Sequence, residues 1–147
     1  MTVEIRPAEI KDAPGIALTL AELGADRYIV SACDIERRLA TSALAPDTAI
    51  YVAAIAGYGV IGICHVMGVH NLSTEGYAEV MELAVQTSHQ RCGTGRRLLE
   101  VASQWAIQNK FSRLRLRSGT HRTDAHLFYE KCGFARFRAS YAFEISL

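Results

Sequence analysis

Between Gln90 and Arg97 the chain reads Gln-Arg-Cys-Gly-Thr-Gly-Arg-Arg, two glycines at a spacing of two among three arginines. Glycines so placed let a loop turn tightly and aim successive backbone N–H groups at one point. A largely apolar run, Val80–Val85, comes before the loop and a helical pattern follows it. The first amides of that helix and the positive end of its dipole therefore converge on the same place. Arg91, Arg96 and Arg97 add cationic side chains around it. The chemistry suited to this stretch is the holding of a phosphate or pyrophosphate. Two nucleotide templates do not fit: a P-loop needs Gly-Lys-Ser/Thr at its end, and a dinucleotide fingerprint needs a third glycine where Leu98 stands. Cys92 reads as a small residue tolerated in the turn, because no histidine and carboxylate are placed to make it a nucleophile.

The elements that must position this loop follow from periodicity. Val3–Pro7 alternates as a first strand. Asp12 is placed to cap a helix with Pro14 in its first turn and Ile16, Leu20 and Leu23 as its buried stripe, stopping at Gly24. After the polar and aromatic linker Gly24–Tyr28, a second helix runs near Cys33–Ala40 with Ile35 and Leu39 inward. Ala49–Ala56 and Val60–Val69 form a hairpin through Gly57-Tyr58-Gly59. The turn Asn71–Gly76 leads into a strand at Tyr77–Val85. Leu98, Leu99, Ala102, Trp105 and Ala106 give Thr94–Gln108 one sheet-facing helical side. Arg113–Arg117 alternates strictly, with its arginines on a wet face. Thr123 or Asp124 caps a last helix that stops at Gly133, with Phe134 packing back on it. Ala135–Leu147 supplies one or two closing strands. The order β-α-α-β-β-β-α-β-α-β-β predicts an α/β sandwich around a mixed sheet.

At 147 residues the chain fits one domain spanning 1–147. Half of it is hydrophobic and its net charge is +1, so neither disorder nor a nucleic-acid partner is indicated. No apolar run approaches the ~20 residues of a membrane helix, and no signal-peptide pattern precedes Val3, which points to the cytoplasm. Cys33, Cys64, Cys92 and Cys132 are widely separated, a pattern of reduced thiols that disfavours zinc and a disulfide framework, and no metal site is expected.

The spacing Gln90-x-x-Gly93-x-Gly95, strand before and helix after, resembles the acetyl-CoA signature of the Gcn5-related N-acetyltransferases (GNAT). Asp124-Ala125-His126-Leu127-Phe128-Tyr129-Glu130-Lys131-Cys132-Gly133-Phe134 is similar to a second motif of that family, Ala-x-x-Phe-Tyr-x-x-x-Gly-Phe. The element order matches over nearly the whole chain. The resemblance implies a mixed sheet of six to seven strands flanked by about four helices, and acetyl-CoA as cosubstrate. It implies that two neighbouring parallel strands, Tyr77–Val85 and Arg113–Ser118, splay around the acyl-CoA arm. The backbone of Leu83, Ala84 and Val85 then pairs with the pantetheine amides, and Gln90, Arg91, Cys92, Gly93, Thr94, Gly95 and Arg96 hold the pyrophosphate. Two departures stand out: Gln86-Thr87 occupies the place of a usual proline, and Gly119 that of a usual asparagine. A narrower similarity, to aminoalkylphosphonate N-acetyltransferases, rests on Glu79–Leu83 and Arg122–Tyr129.

Acetyl transfer to an amine needs a proton acceptor for the amine, stabilisation of the carbonyl oxygen and a proton for the departing thiolate. A phenol can supply that proton. By the resemblance Tyr129 is the general acid, Phe128 packs against the cofactor, and Glu79 is the general base. Glu79 and Glu82 are three apart on one strand, so regular pleating sends them to opposite faces unless a bulge intervenes. His65, His70 and His126 either line the acceptor pocket or are ordinary structural histidines. The function implied is acetylation of a small-molecule primary amine by direct attack in a ternary complex. The alternatives are protein or peptide N-terminal acetylation, with the Ala25–Ser31 segment deciding whether a groove is open, and a non-catalytic acyl-CoA-binding regulator. The apolar and aromatic residues Phe137, Tyr141, Phe143 and Ile145 of the closing strands point to a homodimer.

Overall fold

A computed structural model describes residues 2–23 and 30–147. The expected stop at Gly24, the linker to Tyr28 and most of the Ala25–Ser31 stretch lie outside the described residues. The chain divides into two compact units, Met1–Leu116 and Arg117–Leu147.

The first unit is built on a five-stranded sheet. Its strands β1 (Val3–Pro7), β2 (Thr48–Ile55), β3 (Gly59–Val69), β4 (Tyr77–Val85) and β5 (Leu114–Leu116) lie side by side in sequence order. The first three pairings are antiparallel and β4–β5 is parallel. A parallel pair needs a crossover, and α3 (Thr94–Gln108) provides it. The β2–β3 hairpin turns at Gly57, whose φ of 79° is natural for glycine. Helices α1 (Ala13–Ala21) and α2 (Ala32–Leu44) cover one face. There Ala13, Ile16, Leu20 and Ile35 pack with Val52, Val60, Ile63 and Ala84. The stripe expected on α3 is buried as read: Leu98, Leu99, Ala102, Trp105 and Ala106. Ser31 and Asp34 form a reciprocal capping box at the start of α2.

Three expectations are corrected in this unit. Asp12 makes no capping bond to α1. Its carboxylate accepts from Arg6 at 2.8 and 2.9 Å and from the Glu9 N–H at 2.7 Å. An arginine fork outcompetes a single cap bond. The Arg6 hydrogen bond holds the Asp12 carboxyl below the usual carboxylate range. Leu23 is 38% exposed because α1 ends at Ala21. The last strand is three residues, not five.

The second unit holds α4 (Thr123–Lys131). Neither Thr123 nor Asp124 caps it; Arg122 occupies the N-cap position without a side-chain bond. The C-terminal end is as expected. Gly133 takes φ 99°, its N–H donates to Glu130, and the Phe134 N–H donates to the Tyr129 carbonyl at 3.0 Å. The Phe134 ring rests edge-on against Tyr129, centroids 6.3 Å apart. The closing strands do not form: no residue after Leu116 is in a strand among the described residues, and Phe137–Leu147 are exposed. The sheet therefore has five strands rather than six to seven, within the α/β class expected.

Candidate functional site

β4 is the strand on which the site is organised, and its two halves differ. Tyr77–Val80 is flanked on both sides, by β3 and by β5, whose pairing stops at Val80 opposite Leu116. Met81 is an extra residue in the β3 pairing: Val66 faces Val80 while its neighbour His65 faces Glu82. This bulge resolves the question of the two glutamates. Residues opposite one another share a face, and Met67 and His65, two apart on β3, face Glu79 and Glu82. Both carboxylates thus stand on one side of the sheet, where strict pleating would have separated them.

Beyond the bulge the strand edge away from β3 carries no strand among the described residues. The Gln86 N–H donates to the Ile61 carbonyl at 2.8 Å, which fixes the antiparallel phase. Alternation then turns Ala84 toward Ile63 and leaves Leu83 and Val85 with their backbone groups on the open edge. The Val85 carbonyl there is met by the Gln90 side-chain amide at 2.9 Å. Of the three backbone residues expected to pair with a pantetheine arm, Leu83 and Val85 turn their backbone groups to the open edge and Ala84 turns its own to β3.

The loop that follows is anchored by residues that motif reading passed over. Gln86 is buried; its Nε2 donates to Thr19 Oγ1 (3.1 Å) and the Val60 carbonyl (3.0 Å), and its Oε1 accepts from Tyr58 (3.4 Å). Glu22 accepts from the Thr87 N–H at 2.6 Å and hydroxyl at 3.1 Å. These bonds tie the end of β4 to α1 and β3 across as many as 67 residues of sequence, which no local pattern reveals. Arg91 is left-handed at φ 62° and Gly93, the N-cap of α3, at φ 85°. No side chain caps α3, so its first amides face outward along the axis. A Cβ built on Gly93 meets nothing within 4 Å, so the space beside this N-cap is open. Gly95 lies inside α3 without positive φ. Arg91, Cys92 and Arg96 are exposed, while Thr94 is 3% exposed and its side chain belongs to the core. The Cys92 thiol donates to the Gln90 carbonyl at 3.5 Å. Arg97 departs from the expected cluster: its guanidinium donates to the Val3 carbonyl on β1.

On the glutamate-bearing face, His65 Nδ1 lies 4.0 Å from a Glu82 carboxylate oxygen, and its Nε2 is buried with no hydrogen-bond partner. Burial lowers the His65 pKa, and the Glu82 charge opposes that shift. His70 is engaged elsewhere, with Asp47 at 2.7 Å and against the Phe111 ring. Arg115, the one arginine within β5, is less wet than alternation implies: it sits 4.2 Å above the centre of the Tyr77 ring. Cys64, between Tyr51 and Leu83, has its thiol pushed up to about 12 by burial and is chemically silent. Among the described residues no group of three or more His, Cys, Asp or Glu could hold a metal ion, and no helix is long and apolar enough to cross a membrane.

In the second unit Phe128 and Tyr129 are half-buried with ring centres 5.5 Å apart. His126 Nε2 lies 2.9 Å from the Gly119 carbonyl, a contact within the turn that opens α4.

The family model described as "Acetyltransferase (GNAT) family" matches residues 19–134. Glucosamine-6-phosphate N-acetyltransferase from Arabidopsis thaliana superposes with a TM-score of 0.85 at 18% identity, over 99% of this chain and 100% of that one. A transcriptional regulator from Bacillus halodurans gives 0.84 at 21% identity, over 98% and 100%. The aminoglycoside 6'-N-acetyltransferase AAC(6')-Ih from Acinetobacter baumannii gives 0.82 at 13%, over 99% of each chain. At these identities the likeness is one of fold. No curated protein sequence matches the chain.

Proposed function

The chain belongs to the acetyltransferase (GNAT) family, and from that premise we propose that it transfers acetyl from acetyl-CoA to a primary amine of a small molecule, by direct attack within a ternary complex. The observation that carries the reading is the corner between β4 and α3. An open strand edge, Leu83 and Val85, runs into an uncapped helix start at Gly93 with open space beside it. A linear molecule with two amides at one end and a diphosphate at the other matches that sequence of surfaces. The Gln90–Arg96 loop would hold the diphosphate, with Arg91 and Arg96 adding charge. The outward N–H of Leu83 or Val85 would polarise the thioester carbonyl and stabilise the oxyanion as the amine attacks.

Proton bookkeeping then assigns the side chains. Glu79 takes a proton from the ammonium, freeing the nitrogen lone pair; collapse of the tetrahedral intermediate breaks the C–S bond, the Tyr129 phenol protonates the thiolate, and the second nitrogen proton, released as the amide forms, restores the phenol. Phe128 packs against the cofactor. The glucosamine-6-phosphate and aminoglycoside enzymes of the same fold act on amines of small molecules, which supports that acceptor class here. The Bacillus halodurans regulator supports the second reading, a non-catalytic acyl-CoA-binding protein.

The test is release of free CoA thiol against a panel of aminoalkylphosphonates, polyamines, aminoglycosides and short peptides. Steady turnover on one of the small amines is expected. Turnover on peptides alone would make this an N-terminal acetyltransferase, and acetyl-CoA binding without turnover would favour the regulator.

A further inference from the structure

Near the open edge of β4, charge stands on the inward face of the sheet. Arg115 lies opposite Glu79 across the parallel β4–β5 pairing, and Glu79 lies opposite Met67 of β3. Residues opposite one another share a face, so Arg115 joins His65, Glu79 and Glu82 on one side. It is the side on which α1 and α2 pack, because Ile63 and Ala84 of their core are two residues along from His65 and Glu82. A guanidinium and two carboxylates on the face that carries the core depart from the usual placement of charge, and such departures gather at functional sites. Arg115 is half-buried, 4.2 Å over the centre of the Tyr77 ring, which is 7% exposed. Arg113 stands 5.9 Å from the centre of the same ring. The stack engages the flat face of the Arg115 guanidinium and none of its five N–H donors. It also orders the long side chain before any ligand arrives, which removes that cost from binding. This part of the face is positive along β5 and negative along β4.

Building on the acetyltransferase reading above, we infer that the acceptor is a short zwitterion: an amine carrying a carboxylate or phosphonate a few bonds away. Arg115 holds the anionic group while the amine meets Glu79. Neighbouring strands lie ~4.8 Å apart, so a ligand that touches both residues at once has its two charges close together. Charge complementarity selects this class. A polyamine brings a second ammonium toward Arg113 and Arg115, and the repulsion counts against it. A plain amine meets Glu79 and gains nothing from Arg115. A zwitterion supplies a partner of the right sign to each residue at once, so neither is left with an unmatched charge. The planar fork of Arg115 receives two oxygens of a carboxylate or of a phosphonate in the same way, which places both in the class.

The experiment compares β-alanine, aminoethylphosphonate, propylamine and diaminopropane as acceptors at saturating acetyl-CoA, for the wild type, Arg115→Gln and Arg115→Lys. Wild-type kcat/KM should favour one of the two zwitterions over propylamine, and which one it favours distinguishes carboxylate from phosphonate. Hydrogen bonds to a charged group are worth about 10–100-fold. Arg115→Gln should lower the zwitterion-to-propylamine ratio by that factor, mainly through KM. Arg115→Lys keeps the charge without the fork and should retain part of the preference. Calorimetric binding of the same zwitterions to the complex with CoA gives a readout that needs no turnover. Zwitterion binding that weakens in Arg115→Gln, with no amine acetylated, keeps the site and overturns the transferase reading instead. A wild-type preference for propylamine or diaminopropane, equal losses on every amine in Arg115→Gln (a structural role on Tyr77), or no zwitterion binding overturns the inference.

Discussion

The β4–α3 corner and helix α4 each carry one of the two motifs, and the bonds at the ends of each differ in sequence reach. The corner is fastened by contacts from distant sequence: Gln86 to Thr19 and Val60, Glu22 to Thr87, Arg97 to Val3. At the two ends of α4 the bonds are short in sequence, His126 to Gly119 at its start and Gly133 and Phe134 to the last turn. Backbone recognition needs a surface already in place before the ligand arrives, because ordering it on binding would subtract from affinity. A side chain that acts once per turnover needs only a helix that presents it. Under the proposed function, then, the corner governs cosubstrate affinity and carbonyl polarisation, and α4 presents the acid that completes the chemical step.

The largest expected effect tests the second half of that division. Tyr129→Phe removes the phenol and keeps the ring against Phe128 and Phe134. General-acid assistance is typically worth ~10²–10⁴-fold, so kcat should fall by that range with the acetyl-CoA KM little changed. Full activity would leave the thiolate to be protonated by water and Tyr129 as a packing residue. Gly93→Val is the reverse experiment. Its φ of 85° is a conformation that a β-branched residue adopts at roughly 1–3 kcal/mol of strain, and the new side chain enters the space assigned to the diphosphate. Acetyl-CoA binding by calorimetry should weaken about 10–100-fold. Gly95→Ala, at a helical position without positive φ, should bind almost as wild type. Equal losses at both glycines would remove the special status of the Gly93 turn.

What was legible beforehand follows the same division. Both motifs, the α3 stripe and the bounds of β1, β4 and α3 are local patterns, and each was read from neighbouring residues. The effect of the Met81 bulge was not, because a bulge exists only in the pairing with β3. Glu79 and Glu82 could not be assigned to one face until that register was known. In the sequence Gln86 shows only as the absence of a proline, since its partners lie 26 and 67 residues away. Local pattern makes Asp12 a cap, but Arg6, six residues before it, offers two bonds instead of one. The closing strands failed for a related reason: alternation in Ala135–Leu147 states a preference for a sheet without supplying the edge.

An intermediate effect probes what holds the corner. Gln86→Leu keeps most of the volume but removes the side-chain donor to the buried Val60 carbonyl and one of the two bonds of the Thr19 hydroxyl, which still donates to Gly15. An unsatisfied buried polar group costs about 1–3 kcal/mol, so urea unfolding should show a loss in that range. The same variant should bind acetyl-CoA more weakly, because the loop after β4 loses its tie. Matching losses for a surface variant of α4 such as Glu130→Gln would erase the contrast between the two regions. That exposed carboxylate, paired with Arg136, should contribute below 1 kcal/mol.

The smallest expected effect concerns His65, which stands on the face shared by Glu79 and Glu82. Burial lowers its pKa in the folded protein, and the Glu82 carboxylate pulls the other way without cancelling the shift. Unfolded, the imidazole titrates near 6.5, so below that pH the unfolded chain binds a proton that the folded one resists. Stability is therefore complete above about 6.5, falls as the pH drops toward the lowered folded-state value, and levels off beneath it. The Asp12–Arg6 pair does not confuse this window: its carboxyl is also lowered, but from 3.8, so its contribution is lost in more acidic solution. His65→Gln has no group to titrate. The difference in unfolding free energy between wild type and variant should vary with pH below 6.5 and be constant above it. If it is constant throughout, the imidazole takes its proton as readily folded as unfolded. The neutral histidine beside Glu82 would then be no part of what distinguishes this face of β4.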